Sequence, residues 1–193
     1  MSKLTHSDLY SLEEYARNRN DFRARVMEHK KSRRVHIGKH ASLYFEDALT
    51  MQYQVQEMLR IERIFEPEGI QEELDVYNPL IPDGSNWKAT FMMEYSDPAQ
   101  RKEALAKLIG VEKALYMQVE GHERVHPIAN EDLERETEEK TSSVHFVRFE
   151  LSPEMVAAAK QGAAIRAGID HPHYREEVEL SAAVRDSLVA DLA

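Results

Sequence analysis

The sequence contains no cysteine, and this absence excludes a large set of chemistries. Disulfide bonds, thiolate nucleophiles, cysteine-ligated zinc and iron–sulfur clusters held by the chain's own side chains are all ruled out. A bound metal would have to be held by histidine, aspartate or glutamate. The chain also lacks an apolar run approaching the roughly 20 residues of a membrane-spanning helix, and its first residues lack the apolar centre of a signal peptide. We therefore expect a cytoplasmic protein without membrane contact.

Several recognisable catalytic motifs are missing as well. The chain contains no GxGxxG dinucleotide fingerprint, no Walker-type phosphate loop and no GxSxG nucleophile elbow. The paired E-x-x-H motifs of di-iron helical bundles are also absent. These absences favour a binding or accessory protein over an enzyme of a familiar class.

The composition that remains is that of an ordinary globular protein. The chain of 193 residues is 42% hydrophobic and 31% charged, which provides enough apolar material for one core. We expect residues 1–80 to form a helical N-terminal region and residues 81–193 an α+β sheet region, together one compact unit. The net charge of −10 argues against general nucleic-acid affinity. Basic residues are concentrated between Arg17 and Lys39, so nucleic-acid binding by the first helix stays an alternative.

The first half of the chain carries helix signals. Ser11 and Glu14 form an S-x-x-E capping box, which predicts a helix from there to about Lys31. The remaining predicted elements of this half are a short extended piece at 33–37, a long second helix at 42–65, a shorter helix at 68–76 and a rigid proline-containing loop at 77–84.

The second half changes to a strand pattern. Runs of apolar and β-favouring residues alternate with helices that begin at Asp97-Pro98 and Ser152-Pro153 and end at Gly110 and Gly162. The predicted strands are 89–95, 113–120, 144–151 and 163–169, and a last helix is predicted at 178–192. Two strand–helix–strand units in series suggest a ferredoxin-like β-α-β-β-α-β pattern, with the N-terminal helices packed on an antiparallel sheet. The predicted class is α+β.

The segment from Gly121 to Pro127 contains a literal H-E-x-x-H, the signature of zinc peptidases. In those enzymes both histidines lie on one helix, four residues apart. Here Pro127 biases His126 away from helical geometry, and the flanking residues predict two strands joined by a tight turn. His122 and Glu123 would lie at the tip of that turn. We therefore expect no catalytic zinc at this motif.

A polar set falls within the broad apolar arc of the predicted second helix. Polar side chains on a buried arc need hydrogen-bonding or charged partners. A buried Glu62 in particular would need a cation or a metal, and an internal ion pair with Arg33 or Arg34 would satisfy it equally well. We predict a ligand pocket between this helix and the sheet. Its predicted lining comprises Arg34, Gln52, Gln56, Glu62, Arg63, Tyr77, Asn78 and His171.

Two histidines and one aspartate near predicted strands form a second candidate site. His145 alternates with Phe146 along a strand, and Asp170 and His171 follow each other where another strand ends. An aspartate beside a histidine can orient the imidazole, or bind a metal together with it. The predicted metal ligands are His145, Asp170 and His171, with a divalent metal as the implied cofactor. A lone strand histidine is more often a structural residue, so both interpretations stay open.

A longer ordered series is more specific than any of these motifs. It consists of 33–35 (RRV), Phe45-Glu46, Thr50, Gln54, Glu57-Met58, Arg60, Glu62, 77–82 (YNPLIP), 144–149 (VHFVRF) and 170–174 (DHPHY). With this series the chain resembles, over nearly its whole length, the bacterial family catalogued as domain of unknown function 3501. The resemblance brings no established activity and no catalytic residues. Because members are often encoded near rubrerythrin-like and iron–sulfur oxidoreductase proteins, it implies a role in redox or oxidative-stress metabolism, with such proteins as partners.

Two functions from different classes follow. The first is an accessory or binding protein of a redox system that acts through the predicted pocket. The alternative is a metal-dependent enzyme that uses His145, Asp170, His171 and a helix carboxylate. A stoichiometric metal that is lost on His171→Ala would identify the second function.

Overall fold

Residues 2–193 are described by a computed structural model, and they form seven α-helices and nine β-strands. The helices are α1 (Leu12–Lys30), α2 (Ala48–Glu62), α3 (Pro67–Tyr77), α4 (Pro98–Lys107), α5 (Val111–Ala114), α6 (Pro153–Lys160) and α7 (Ala182–Val189). The strands are β1 (Arg34–Ile37), β2 (Ala41–Phe45), β3 (Asn86–Met93), β4 (Leu115–Val119), β5 (Arg124–Val125), β6 (Ile128–Ala129), β7 (Val144–Glu150), β8 (Ile165–His171) and β9 (Tyr174–Glu179). The predicted α+β class is confirmed.

Side-chain caps determine where the first two helices begin. The Ser11 hydroxyl accepts a hydrogen bond from the Glu14 N–H, and the Ser11 N–H donates to the Glu14 carboxylate, so the predicted capping box is confirmed. Asp47 and Thr50 form the same reciprocal pair at the start of α2. Because this cap starts α2 at Ala48, and strand β2 precedes it, the predicted start of the second helix at residue 42 was wrong.

The strands form two antiparallel sheets. The first sheet has the order β1-β2-β3-β7-β6, and the second has the order β5-β4-β8-β9. Side chains alternate between the two faces of a strand. On β3, therefore, Trp87 and Phe91 face the shared core, whereas Lys88 and Thr90 lie on the opposite face of the first sheet.

The ferredoxin-like pattern predicted from the internal repeat is not the topology of this chain. In that pattern the four predicted strands share one sheet, whereas here β3 pairs with β7 in one sheet and β4 pairs with β8 in the other. The repeated caps and glycines specify where strands and helices begin and end. They do not specify which strands form hydrogen bonds with each other.

The main apolar core lies between the two sheets. Its largest side chains include Trp87, Phe91 and Phe149, which have no exposed surface. The indole Nε1 of Trp87 donates a hydrogen bond to the Leu188 carbonyl oxygen at 2.9 Å, so α7 is attached to β3 through the core. We call the two sheets and this core the sandwich.

Helices α1, α2 and α3 form a second unit, which we call the helical layer. One small apolar cluster joins Val55 and Leu59 of α2 to Leu74 of α3, and another joins Tyr15 and Phe22 of α1 to neighbouring side chains of α2. The layer therefore has its own small cores, separate from the core of the sandwich. No helix within residues 2–193 is both long enough and apolar enough to cross a membrane.

Arg33 connects the helical layer with the end of the chain. Its guanidinium is 2% exposed and contacts the Asp191 carboxylate at 2.6 Å and the Asp47 carboxylate at 3.3 Å. It also donates to the carbonyl oxygens of Phe45 and Glu46. Every polar edge of this buried cation thus has a partner, as a charge without water requires.

Candidate functional site

The candidate site is a cleft of about 880 Å³ between the end of α3 and the outer face of the first sheet. This volume lies in the range of small-molecule sites. The turn that follows α3 forms one side, strands β3 and β7 form the floor, and the acidic loop before β7 closes the other side. The lining residues are Lys3, Asp75, Val76, Tyr77, Pro79, Leu80, Ile81, Pro82, Asp83, Lys88, Glu131, Asp132, Phe146, Val147 and Arg148.

The turn after α3 supplies an apolar wall. Pro79 and Pro82 fix their own backbone angles, so Leu80 and Ile81 are held against the cleft with little conformational freedom. Across the cleft, Phe146 extends from the outer face of β7. An apolar ligand body would therefore meet preformed walls on both sides.

Lys88 places a cation on the floor of the cleft. Its ammonium group donates a hydrogen bond to the Pro79 carbonyl oxygen at 2.7 Å. Burial lowers the pKa of Lys88, while the charges of Asp83 and Glu150 act in the opposite direction. No carboxylate within residues 2–193 forms an ion pair with this ammonium, so its remaining N–H donors are available to a ligand.

Arg148, Glu131 and Asp132, three other charged residues of the cleft, are paired within the chain. Arg148 donates two hydrogen bonds to Glu131, at 2.8 and 3.1 Å, and pairs with Glu150 as well. These bonds hold the pKa of Glu131 below its usual range. A bidentate hydrogen bond from Arg135 similarly lowers the pKa of Asp132 to about 2. Lys88 is therefore the cation on the floor of the cleft that is best placed to bind a ligand.

Comparison with known proteins finds a matching family and a similar crystal structure. The family model described as a protein of unknown function, DUF3501, matches residues 3–192. The chain belongs to this family. A novel protein of unknown function from Burkholderia pseudomallei K96243 has a crystal structure with a TM-score of 0.93 to this one, 50% identity, and coverage of 100% of both chains. No curated protein matches the chain.

In this DUF3501 protein only one of the predicted pocket residues, Tyr77, lines the cleft. Asn78, beside it, uses its amide to exchange two hydrogen bonds with the backbone of Leu4. Gln52 donates to the Asp8 carbonyl oxygen at 2.7 Å, and the fully buried Gln56 accepts from the Tyr10 N–H at 2.6 Å. The polar residues of α2 therefore anchor the N-terminal segment.

The remaining predicted pocket residues lie elsewhere. Glu62 and Arg63 are exposed at the end of α2, so Glu62 needs no buried partner. Arg34, on β1, has its guanidinium over the ring of Tyr44 on β2, and it pairs with Glu94 at 3.5 Å. The structure thus places the cleft against α3, and it does not bring the predicted set together between α2 and the sheet.

The predicted metal ligands are also apart, and their ring nitrogens are engaged. His145 has one ring nitrogen 2.8 Å from the Asn130 amide and the other 3.0 Å from the Ser142 carbonyl oxygen. His171 contacts the Ile109 carbonyl oxygen at 2.9 Å through one nitrogen and accepts from the His173 N–H at 3.1 Å through the other. Asp170 pairs with arginines on the surface. We assign no metal to these residues, and residues 2–193 contain no group of three or more acidic or histidine side chains placed to hold one.

The H-E-x-x-H motif forms the predicted turn between two strands. Residues 120 and 121 make the turn from β4, and Arg124 begins β5, which pairs with β4. His126 follows β5, and its ring contacts the Leu115 carbonyl oxygen at 2.9 Å. The two histidines are not on one helix, and the predicted turn between two strands is confirmed.

A serine, a histidine and a carboxylate also meet on the first sheet, but in the wrong order for nucleophilic catalysis. The fully buried Ser42 donates its hydroxyl proton to Glu94 at 2.6 Å, so the His36 ring, at 3.1 Å, must donate to the serine oxygen. An activated serine instead donates to the histidine, which acts as its base. This group is therefore a structural network across β1, β2 and the residue after β3.

Sequence reasoning missed Lys88 and Phe146 as site residues. Phe146 was predicted to lie in a strand, whereas Lys88 fell just before the predicted strand 89–95, and nothing in a strand pattern tells which face remains uncovered. The proline-containing loop at 77–84 was the available signal, because a rigid loop beside exposed strand residues defines one wall of a cleft.

Proposed function

We propose that this protein is a cytoplasmic binding or accessory protein that acts through the cleft between α3 and the first sheet. The observation that carries the proposal is Lys88, an ammonium without an ion-pair partner among residues 2–193, held beneath apolar walls. The ligand that fits is a small molecule or chain end with an apolar or aromatic body and a hydrogen-bond acceptor, foremost a carboxylate. A cation with reduced hydration interacts more strongly with such a group than one in bulk water.

The partner class remains the one implied by the family resemblance. We propose a rubrerythrin-like or iron–sulfur protein of a redox or oxidative-stress system as the protein that this chain assists. Support for this comes from the resemblance alone, whereas support for the cleft comes from its walls and from Lys88. The two parts of the proposal can therefore be tested separately.

The first experiment measures binding of paired probes to the cleft. Phenylacetate and 2-phenylethanol share an aromatic body and differ in the charge of the head group, as do hexanoate and hexanol. Chemical-shift changes would be followed in wild type, in Lys88→Met and in Lys140→Met, where Lys140 is an exposed control cation. We expect the carboxylates to bind wild type and Lys140→Met about tenfold more tightly than the alcohols, and Lys88→Met to lose this preference.

A second variant tests the walls. Leu80→Trp adds an aromatic ring inside the cleft and should abolish binding of all four probes while the chain stays folded. Shift changes that map away from the cleft, or probe binding that survives in Leu80→Trp, would contradict the proposal. Pull-down with wild type and Leu80→Trp, compared by immunodetection of a rubrerythrin-like protein, tests the partner class.

A further inference from the structure

A single buried imidazole holds both ends of the loop that forms the acidic side of the cleft. His145, on β7, has no exposed surface. Its Nδ1 lies 2.8 Å from the Asn130 amide nitrogen, at the start of the loop. Its Nε2 lies 3.0 Å from the Ser142 carbonyl oxygen and 3.1 Å from the Thr141 hydroxyl, at the end of the loop.

The hydrogen bonds determine which nitrogen carries the proton. The Asn130 side-chain oxygen accepts from the Phe146 N–H at 3.3 Å, so the amide nitrogen must be the group that faces His145. Nδ1 is then an acceptor without a proton. Nε2 carries the proton and donates it to the Ser142 carbonyl oxygen. The imidazole is neutral in this arrangement.

Protonation of this ring would affect the two ends of the loop differently. A proton added to Nδ1 would point an N–H at the Asn130 amide, which is itself a donor, and this contact would become repulsive. The bond from Nε2 to Ser142 would remain, because an imidazolium still donates there. Asn130 cannot turn its amide around without losing the Phe146 N–H, and its backbone already occupies the left-handed region at φ 55°.

The charged groups that face His145 oppose one another. Glu112 of α5 is 3% exposed, and its Oε2 has no hydrogen-bond partner among residues 2–193. Glu112 and Glu136 favour the charged imidazole, whereas Arg135 disfavours it. Burial is the largest influence and lowers the pKa of His145 from its ordinary value of 6.5. The ring is therefore neutral near pH 7, and it takes up a proton only below the pH at which an exposed histidine does.

We propose that protonation of His145 releases Asn130 and opens the acidic side of the cleft from that end. Glu131 and Asp132, which line the cleft, directly follow Asn130. They move with it once the ion pair of Glu131 with Arg148 and the hydrogen bond from the Asn130 N–H to the Phe146 carbonyl oxygen also give way. The other end stays attached through Ser142, and the middle stays attached through Glu136, which accepts from the Gly110 N–H at 2.6 Å. The cleft would thus admit or release its ligand according to pH. We call the contact between His145 and Asn130 the latch. Its role in ligand entry rests on the proposed function, whereas the movement of the loop does not.

The test is amide hydrogen exchange of residues 130–134, measured without ligand and corrected for the intrinsic pH dependence of exchange. In wild type, protection of these amides should fall about tenfold, the equivalent of one lost hydrogen bond, as the pH is lowered from about 7.5 to about 4. His145→Gln retains an uncharged acceptor and donor. In this variant, the protection of residues 130–134 should not change with pH. Asn130→Asp turns the donor into an acceptor, so it should keep the loop closed in acid.

A matched control separates this latch from general acid effects. His29→Gln removes a half-buried histidine of the helical layer, away from the loop, and should leave the wild-type pH dependence intact. Protection at 130–134 that ignores pH in wild type, or that falls equally in His145→Gln, would overturn the latch. Hydrogen exchange is measured without ligand, so a negative exchange result would leave the probe-binding result at neutral pH valid. A negative probe-binding result would likewise leave the exchange result valid.

Discussion

The sandwich and the helical layer are stabilised in different ways. Between the two sheets the contacts are apolar, and large side chains such as Trp87 and Phe149 are fully enclosed. The helical layer has only small apolar clusters, and polar pairs supply much of its attachment: Arg33 with Asp191 at the chain end, and Arg19 with Glu57 between α1 and α2. The sandwich therefore depends on burial, whereas the layer depends on directional bonds.

This difference explains where the cleft lies. Apolar packing fills space without gaps, because any void sacrifices contacts. Polar pairs fix only the points at which they meet and leave the surface between them open. The cleft lies in such an uncovered stretch, where the turn after α3 faces Lys88 and Phe146.

The largest expected effect comes from removing the buried cation of the layer. Arg33→Met would leave Asp47 and Asp191 buried without their guanidinium partner. We expect a loss of about 4 kcal/mol in the free energy of unfolding, measured by urea denaturation. Arg34→Met, which removes a half-exposed neighbour, should cost less than about 0.5 kcal/mol. Equal losses in the two variants would mean that the layer does not depend on the Arg33 cluster.

A smaller effect with a distinct pH signature is expected at Glu57. Its side chain is 14% exposed, and hydrogen bonds from Arg19 lower its pKa from 4.5 to about 2, with further bonds from Tyr15 and Arg60. Because the folded-state pKa lies below the unfolded value, the stabilisation is fully present above about pH 4.5 and is lost as the pH falls toward 2. Glu57→Gln should therefore cost about 2 kcal/mol at neutral pH and progressively less below pH 4.5.

Thermal unfolding across this pH range checks the Glu57 prediction. Glu13→Gln is the matched control, because Glu13 pairs with Arg17 on the exposed side of α1, with its side chain 77% exposed. This variant should unfold like wild type throughout. A deficit in Glu57→Gln that stays constant down to pH 2 would show that the carboxylate charge is not what stabilises the contact.

The sandwich is expected to respond to added volume. Gly168 lies opposite Tyr116 on neighbouring strands, and a Cβ at Gly168 would come within 2.3 Å of the Tyr116 ring. The ring is 2% exposed and its hydroxyl is bonded to Glu177, so it cannot move aside freely. Gly168→Ala should cost about 1.5 kcal/mol in chemical denaturation. In a Tyr116→Ala background the same change should cost much less, and an unchanged cost there would point to the backbone of β8.

The smallest expected effect is a gain. Arg63 ends α2 in the left-handed region at φ 54°, where a side chain strains the backbone and glycine does not. Arg63→Gly should raise the free energy of unfolding by about 0.5–1 kcal/mol. Arg60→Gly, inside the same helix, should lower it by a similar amount. Differential scanning calorimetry of both variants would contradict the prediction if Arg63→Gly melted below wild type.

Local signals in the sequence predicted local structure well. The capping box of Ser11, the prolines at the starts of α4 and α6, and Gly162 after α6 lie at the ends of real helices, whereas Gly110, predicted to end α4, is the N-cap of α5. Two strands, β2 and β9, were missed for different reasons. Leu43 and Phe45 fit the arc of a helix and the alternation of a strand equally well, and the charged strand β9 has almost no apolar pattern because it lies at a sheet edge.

Pairing between distant segments was beyond the sequence patterns. The repeat around β3, β4, β7 and β8 specified four strands but not the two sheets that they form. The prediction of the site failed for the same reason, because the cleft is formed by α3, β3, β7 and a loop, which are far apart in the chain. Tyr77 was found because its rigid loop is visible locally, whereas Lys88 becomes distinctive only when the face of its strand is known.

The hydrogen bond from Trp87 to Leu188 has an optical consequence. Trp87 is the only tryptophan, so all indole emission from this protein arises at the junction between β3 and α7. Tyr10, Tyr15 and Tyr53, by contrast, belong to the cluster around α1 and α2. Excitation of the indole alone therefore observes the sandwich, whereas tyrosine absorbance reports on both parts of the fold, because Tyr116 and Tyr174 lie in the second sheet. The sandwich thus carries its own built-in reporter, and its unfolding can be followed without attaching any dye.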